Sequence, residues 1–383
     1  MRGRAARNDM KPKANLFDPL ALRGLQLASR IVVSPMCQYS AVDGRATDWH
    51  LVHWGQLLMS GAALFTIEAT AVSADGRITP GCLGLYDDDC EEALTRTLAR
   101  ARALVPPMPV AMQIAHAGRK GSSQRPWDGG QLIPVEQGGW RPVAPSAIAH
   151  ASGEAPPAAL DLDGLARIRD AFVRSARRAE RAGIDALELH MAHGYLLHEF
   201  LSPLANRRDD RYGGSFDARV RFPLEVFDAV RAAWPESRPL GVRLSCTDWV
   251  EGGWTLPESV ELARLLTVRG CDFIDASSGG VSPAQKIALG PGYQVGFARE
   301  VRRATGVVTM AVGLITEAEQ AQAIVAAGDA DLIAMARAFL WDPRWPWHAA
   351  AALGAVITPP PQYTRSAPRA AAAVFGGARI GQR

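Results

Sequence analysis

Residues 186–214 read ALELHMAHGYLLHEFLSPLANRRDDRYGG, and this stretch decides the fold because a buried strand in it ends in reactive side chains. The run 186–191 predicts the strand. His190, His193 and Tyr195 fall within six positions at its carboxyl end. Three proton-handling groups in one small volume are typical of a catalytic site.

The same pattern of a short apolar run before a longer helical pattern recurs along the chain. The predicted strands are 31–36, 64–70, 110–115, 186–191, 240–245, 273–277, 307–312 and 332–336. The predicted helices are 50–60, 88–104, 162–182, 217–233, 257–269, 294–305, 316–327 and 346–353. This alternation predicts an α/β fold, a single (β/α)8 TIM barrel, with a doubly wound open sheet as the alternative.

Local signals mark the helix ends. Thr316 with Glu319, and Thr255 with Glu258, predict capping boxes. Glycines that follow predicted helices are expected in left-handed caps, and they are Gly183, Gly270, Gly306 and Gly328.

The Gly-, Pro- and Trp-rich residues 118–158 are too long for a plain connection. They predict an inserted capping segment, or a hairpin, over the active-site face after strand 3. We expect a disordered leader at 1–14, the barrel at 15–365 and a frayed tail at 366–383.

Composition narrows the class of protein. The chain has 383 residues, 48% of them hydrophobic, and a net charge of +3 that is concentrated at its two ends. No basic stripe crosses the body, so nucleic acid is not the expected partner. Five scattered cysteines without a CxxC pair argue against a disulfide framework or metal cluster and indicate a cytoplasmic protein. No apolar run reaches membrane-spanning length, so no membrane partner is expected.

Polar residues or glycines follow most of the predicted strands, where barrels carry their reactive groups. Gly313 after strand 7 and Arg337 after strand 8 fall where barrels commonly hold a phosphate. A metal site built from His190, His193, His198 and Glu199 is the alternative. This alternative lacks an HExxH motif and gives no role to the polar strand-end residues Gln113 and Arg243. We therefore expect no metal, and we expect His198 to have a structural role.

Between about Asn15 and Arg365 the chain resembles the Old Yellow Enzyme family of flavin-dependent ene-reductases, most of all its thermophilic-like, xenobiotic-reductase-like subclass. The matching segments are SPMCQYS (34–40), EAT (68–70), QIAHAGRK (113–120), the run from His190 through GGSF, VRLS (242–245), PGYQ (291–294), AVGLI (311–315) and MARAFLWDP (335–343).

The resemblance implies non-covalent FMN at the barrel mouth. Gln113 and Arg243 would face the pyrimidine edge of the flavin, and Cys37 would tune it as a thiol. The remaining implied cofactor contacts are Ser34, Pro35, Met36, Ala69, His190, Gly313, Ala336 and Arg337. Ala336 departs from the glycine that many relatives carry, which weakens the phosphate assignment.

The resemblance also implies the reaction. Hydride would pass from NAD(P)H, with NADPH favoured, through FMN to an activated C=C bond of an α,β-unsaturated carbonyl or nitro compound, by a ping-pong mechanism. His190 and His193 would bind the substrate oxygen with help from Tyr39, and Tyr195 would donate the proton. A flavin-binding barrel that acts as a redox sensor or scaffold is the alternative.

The tail PPQYTR (360–365) also matches the subclass. There an arginine and a nearby tyrosine reach the neighbouring subunit's active site. Carried over, Arg365 and Tyr363 would contact the partner's substrate in a homodimer or a dimer of dimers.

Overall fold

The computed structural model describes residues 14–376, and the predicted leader falls outside them except for residue 14. Eight parallel strands form a closed barrel in which each strand pairs with the next and the last pairs with the first. The register of Ile333 with Ile31 closes the barrel, which confirms the TIM barrel over the open sheet. In chain order the strands are β1 (Ile31–Val33), β2 (Leu64–Ala71), β3 (Val110–Ala115), β4 (Ala186–Met191), β5 (Leu240–Ser245), β6 (Phe273–Ser277), β7 (Val308–Ala311) and β8 (Leu332–Met335).

Helices surround the barrel, and most begin within two residues of the predicted start. They are α1 (Asp48–Leu58), α2 (Asp88–Arg102), α3 (Leu162–Arg181), α4 (Leu196–Leu201), α5 (Phe216–Ala233), α6 (Leu256–Val268), α7 (Val295–Thr305), α8 (Ala318–Ala327), α9 (Arg337–Trp341) and α10 (Trp345–Leu353). The short helices α4 and α9 were not predicted, because one or two turns carry too little periodic pattern.

The capping predictions divide. The Thr255 and Glu258 box is present at α6, and all four predicted cap glycines have positive φ. The Thr316 and Glu319 box is wrong. Helix α8 starts at Ala318 after Glu317, while the amide of Thr316 donates to the Gln320 side chain at 3.2 Å.

The amino-terminal half of the barrel interior is apolar. A Cβ on Gly241 would lie 2.4 Å from ring atoms of Phe273, so glycine on β5 leaves the room that this ring fills. A hairpin of the strands Leu20–Leu22 and Leu25–Leu27 packs against the same cluster. The polar residues of the interior therefore lie toward the carboxyl end of the strands.

The inserted segment after β3 is present but is not a simple hairpin. It contains the 3₁₀ turn Pro126–Asp128, and its short strands Val143–Ala144 and Ala158–Ala159 pair in parallel.

The prediction of a frayed tail is wrong for residues 366–376. A 3₁₀ segment, Arg369–Phe375, buries Val374 and Phe375 in a cluster with Trp347. Residues 377–383 lie outside the described part.

Candidate active site

Side chains from neighbouring strands meet at the carboxyl end of the barrel. The register places His190 of β4 beside Arg243 of β5, and Arg243 beside Asp275 of β6. Arg243 is 9% exposed, and its Nε lies 3.1 Å from Asp275 Oδ2. Gln113 of β3 donates from Nε2 to Glu188 Oε1 at 2.7 Å. The predicted Gln113 and Arg243 thus share one buried polar layer.

The two histidines and the tyrosine lie together as the sequence predicted. The ring centroids of His190 and His193 are 5.1 Å apart, and those of His190 and Tyr195 are 4.9 Å apart, all edge to face. The Ala192 amide donates to His190 Nδ1 at 3.3 Å, which leaves His190 Nε2 to carry the ring proton. His193 Nε2 lies 2.7 Å from Ser277 Oγ. When this nitrogen accepts from the hydroxyl, Nδ1 of His193 carries its proton.

Burial fixes the protonation states of these groups. Desolvation, followed by the charge of Arg243, lowers the pKa values of His190 and His193 well below the usual histidine range. Desolvation raises the pKa of Tyr195 well above that of free tyrosine. At neutral pH the site therefore presents two neutral imidazoles, each with one N–H, and one protonated phenol.

The turn that carries these residues is held by its backbone. His193 and Gly194 have φ values of +60° and +73°, and a Cβ on Gly194 would lie 2.2 Å from the carbonyl oxygen of Gly280. Lys120 donates to the carbonyl of His193 at 2.9 Å and to that of Gly280 at 3.3 Å. Its ammonium lies 5.1 Å from the ring centroid of Tyr195. Burial lowers the pKa of Lys120 to about 8.

His198 supports this turn. Its Nδ1 accepts from the Gly194 amide at 2.8 Å, and its Nε2 lies 2.9 Å from Asp248 Oδ1. Both ring nitrogens are therefore engaged in the fully buried interior, as the structural role predicted for His198 requires. Across residues 14–376, no group of three or more His, Cys, Asp or Glu side chains is placed to hold a metal ion.

A cavity of about 190 Å³ opens beside β7 and β8. It is lined by Gly313, Ala336 and Arg337, the residues predicted to hold a phosphate, and by Ser34, Arg243 and Tyr293. Gly313 has a φ of +111°, and a Cβ there would lie 2.8 Å from Gln294 Nε2. Ser34 Oγ is buried without a hydrogen-bond partner. Arg243 Nε is paired with Asp275 Oδ2, but their contact is not aligned as a hydrogen bond. A cation, a glycine turn and an unsatisfied polar atom fit an anionic, hydrogen-bonding ligand such as FMN.

Cys37 and Tyr39 follow β1, the strand that pairs with β8. Desolvation, with Cys82 and Glu68 nearby, raises the pKa of the Cys37 thiol, so a thiolate nucleophile is disfavoured. Tyr39 has a φ of +51°, and its ring meets the edge of Trp127 at 5.8 Å. Pro35, Met36 and Ala69 lie at the same strand ends, β1 and β2, and Met36 and Ala69 are buried there.

Arg365 and Tyr363 are not part of this chain's own cluster. The Tyr363 ring packs under the guanidinium of Arg344 at 4.1 Å and against Trp347 at 6.0 Å. Arg365 is exposed. Their predicted role in a neighbouring subunit stays a prediction.

Several residues of the site were missed from the sequence. Ser277, Glu188 and Asp275 lie in strands that read only as apolar runs, although their inward positions follow from strand alternation. Lys120 lies in the segment QIAHAGRK and Trp127 in the insert, but neither position assigns the residue a role.

Comparisons with known proteins agree with this geometry. Residues 15–354 match the model of the NADH:flavin oxidoreductase / NADH oxidase family. An NADPH dehydrogenase of Geobacillus sp. (strain WCH70) is 43% identical over 352 residues, which are 91% of this chain and 98% of that protein. An NADH:flavin oxidoreductase of Gibberella zeae is 41% identical over 86% of this chain and 83% of its own length.

Solved structures show the same fold. Morphinone reductase in complex with tetrahydroNAD aligns with a TM-score of 0.74 and 28% identity, over 91% of this chain and 93% of its own. The old yellow enzyme homologue from Zymomonas mobilis aligns with a TM-score of 0.72 and 26% identity, over 90% and 94%. Among the helices within residues 14–376, none combines the length and apolar character needed to cross a membrane.

Proposed function

Because the chain belongs to the NADH:flavin oxidoreductase / NADH oxidase family, the Old Yellow Enzyme family, we propose that it is an FMN-dependent ene-reductase that takes hydride from NAD(P)H. The substrate class is an activated alkene conjugated to a carbonyl or nitro group. The observation that carries the proposal is the packing of two neutral imidazoles and a protonated phenol together, with a buried guanidinium on the neighbouring strand.

The chain's residues fit FMN at both ends of the site. Arg337 and the Gly313 turn would hold the phosphate, and Ser34 Oγ would gain the hydrogen-bond partner that it lacks. When bound, FMN supplies hydride transfer chemistry that no side chain offers. The cation at Arg243 would favour extra negative charge on the ligand beside it.

His190 and His193 would hold the substrate oxygen. Each can direct one N–H at the carbonyl or nitro oxygen, where negative charge grows as the β-carbon accepts hydride. A donor in a desolvated site acts strongly because no water competes with it. Neutral imidazoles do this without releasing a proton to the oxygen.

Tyr195 would deliver the proton to the α-carbon. Its ring packs edge to face with His190, within reach of the same small ligand, and its raised pKa keeps the phenol protonated. The ammonium of Lys120 beside the ring would stabilise the tyrosinate left behind.

An anaerobic half-reaction tests the proposal. We expect NADPH to bleach the purified yellow protein and cyclohexenone to restore the colour. Bleaching that the enone does not reverse would instead support a redox sensor or scaffold. Protein that is colourless and takes up no FMN would refute both.

We further propose that Arg365 crosses into a partner's site, since Tyr363 anchors its segment on Arg344 and leaves Arg365 exposed. Arg365→Ala should weaken substrate binding and leave FMN binding unchanged. Mixing this variant with the His190→Ala, His193→Ala double variant should restore some activity, because a hybrid dimer would contain one intact site. Activity that stays absent in verified hybrid dimers would contradict the crossing.

A further inference from the structure

Two buried carboxyl groups lie in the layer beneath the candidate flavin position. Glu188 and Asp275 are 2% and 1% exposed. Asp275 contacts Arg243, and Glu188 accepts from Gln113. Arg243 is the permanent cation that acts on both, so two potential negative charges face one positive charge.

Full ionisation of both carboxyl groups would be costly here. Burial, followed by the neighbouring Asp275, raises the pKa of Glu188 to about 8. Burial also raises the pKa of Asp275, although Arg243 opposes the change. Asp275 Oδ1 is buried without a hydrogen-bond partner, so this oxygen can take up a proton or accept a hydrogen bond. Because the charge of Asp275 acts on Glu188 and Arg243 acts on both carboxyl groups, the two titrate as a pair, and such a buried pair tends to keep one proton.

The other titratable groups around the pair do not change this balance. His190 and His193 face Arg243 and are neutral. The Cys246 thiol near Asp275 stays protonated, since burial raises its pKa. Of the described groups that act on the pair, Arg243 is therefore the one that carries a charge at neutral pH.

We propose that Glu188 and Asp275 hold a single proton between them, so that the layer with Arg243 is neutral and sets the reduction potential of the bound flavin. This inference rests on the proposed function. Both carboxyl groups act through Arg243 and Gln113, so they are positioning residues.

Neutral isosteres test the charge count. Glu188→Gln and Asp275→Asn, taken singly, should each leave one negative charge beside Arg243. The midpoint potential of bound FMN at pH 7 should then stay unchanged. The double variant leaves Arg243 without a counter-charge, so the potential should rise. Binding of reduced relative to oxidised FMN should strengthen at least about tenfold.

A rise in either single variant would show that both groups are ionised and would overturn the proposal. No change in the double variant would overturn it as well. Glu199→Gln is the matched control. Its carboxyl is also buried, with a pKa raised to about 8, but it sits beside Arg119. The control should leave the potential unchanged.

The pH dependence provides a second test. Above about pH 8 the pair loses its proton and the layer gains a negative charge, so the midpoint potential should fall more steeply there. This bend should vanish in Glu188→Gln. If the bend persists in that variant, it arises from Lys120, whose pKa is also about 8, and the result counts against the carboxyl pair.

A third measurement needs no flavin. In a Glu199→Gln background at pH 7, infrared spectra of the FMN-free protein should show the C=O stretch of a protonated carboxyl. Adding Glu188→Gln should remove it, because Asp275 alone beside Arg243 ionises. Failure to bind FMN would refute the proposed function while this band still reported on the pair. Its absence, or its persistence in the Glu188 variant, would overturn the proposal.

Discussion

Ser277 is expected to control substrate affinity through His193. The hydroxyl lies 2.7 Å from His193 Nε2; Ser277 is buried and His193 is half-buried. Ser277→Ala should free the ring to rotate or change tautomer, which removes the N–H aimed at the substrate for part of the time. A neutral hydrogen bond contributes about 0.5–1.5 kcal/mol. Affinity for a phenol that mimics the enolate should therefore fall roughly 2- to 13-fold.

A double-mutant cycle isolates this effect. His193→Ala alone should weaken phenol binding further, and Ser277→Ala added to it should have no additional effect, because the hydroxyl acts only through the ring. Phenol binding can be followed by flavin absorbance titration. Ser278→Ala is the matched control, since that hydroxyl donates to Gln294 and not to His193. If Ser277→Ala costs the same affinity with and without His193, the serine contacts the ligand or the flavin directly and the reasoning is refuted.

Four further outcomes are expected. Tyr195→Phe should slow reoxidation by cyclohexenone about 10²- to 10⁴-fold in stopped flow without changing reduction by NADPH, since only the second step needs the phenolic proton; equal slowing of both steps would refute this. Trp127→Ala should raise KM for cyclic enones roughly 2- to 13-fold, because it removes the ring packed on Tyr39. Trp341 is 91% exposed, so Trp341→Ala should leave KM unchanged, and equal effects of the two variants would contradict this role of Trp127. Gly241→Ala should lower the free energy of unfolding in urea by about 1–3 kcal/mol because its Cβ meets Phe273, while Gly290→Ala, in open space, should not; a neutral Gly241→Ala would contradict the packing. Phenol affinity, corrected for ionisation of the phenol, should stay flat as the pH passes through about 6.5, where an ordinary imidazole titrates, since burial holds His190 and His193 neutral there; a step at that pH would show a titrating imidazole.

The barrel could be predicted from the sequence because each strand–helix unit is marked by signals that lie close together along the chain. Apolar runs, capping boxes such as that of Thr255, and cap glycines are properties of a few neighbouring residues. The same locality explains the errors. At α8 the Gln320 side chain takes the amide of Thr316 and moves the helix start. In the tail, Phe375 is buried by Trp347, which lies far from it along the chain.

The candidate site could be predicted only in part, because sequence signals report on residues that are neighbours along the chain. His190, His193 and Tyr195 are neighbours in sequence, so their clustering could be predicted. The partners that set their chemistry come from other strands and loops. Ser277 reaches His193 across 84 positions, and Lys120 reaches the carbonyl of His193 across 73. Lys120 belongs to a recognisable motif, but its contact with the His193 carbonyl depends on folding and could not be predicted from that motif.

Depth in the barrel separates the two roles that charge plays in this site. At the mouth, desolvation removes charge from His190 and His193 and retains the proton of Tyr195, so a substrate bound as proposed would meet donors in a constant protonation state. Deeper in the barrel, Glu188 precedes His190 on β4, and in our proposal it shares a proton with Asp275 beside the Arg243 guanidinium. A ligand that became more negative in the proposed reaction would therefore encounter both a guanidinium and neutral donors. Under these proposals, the burial that keeps the imidazoles neutral also makes the carboxyl pair the place where a change of pH would act.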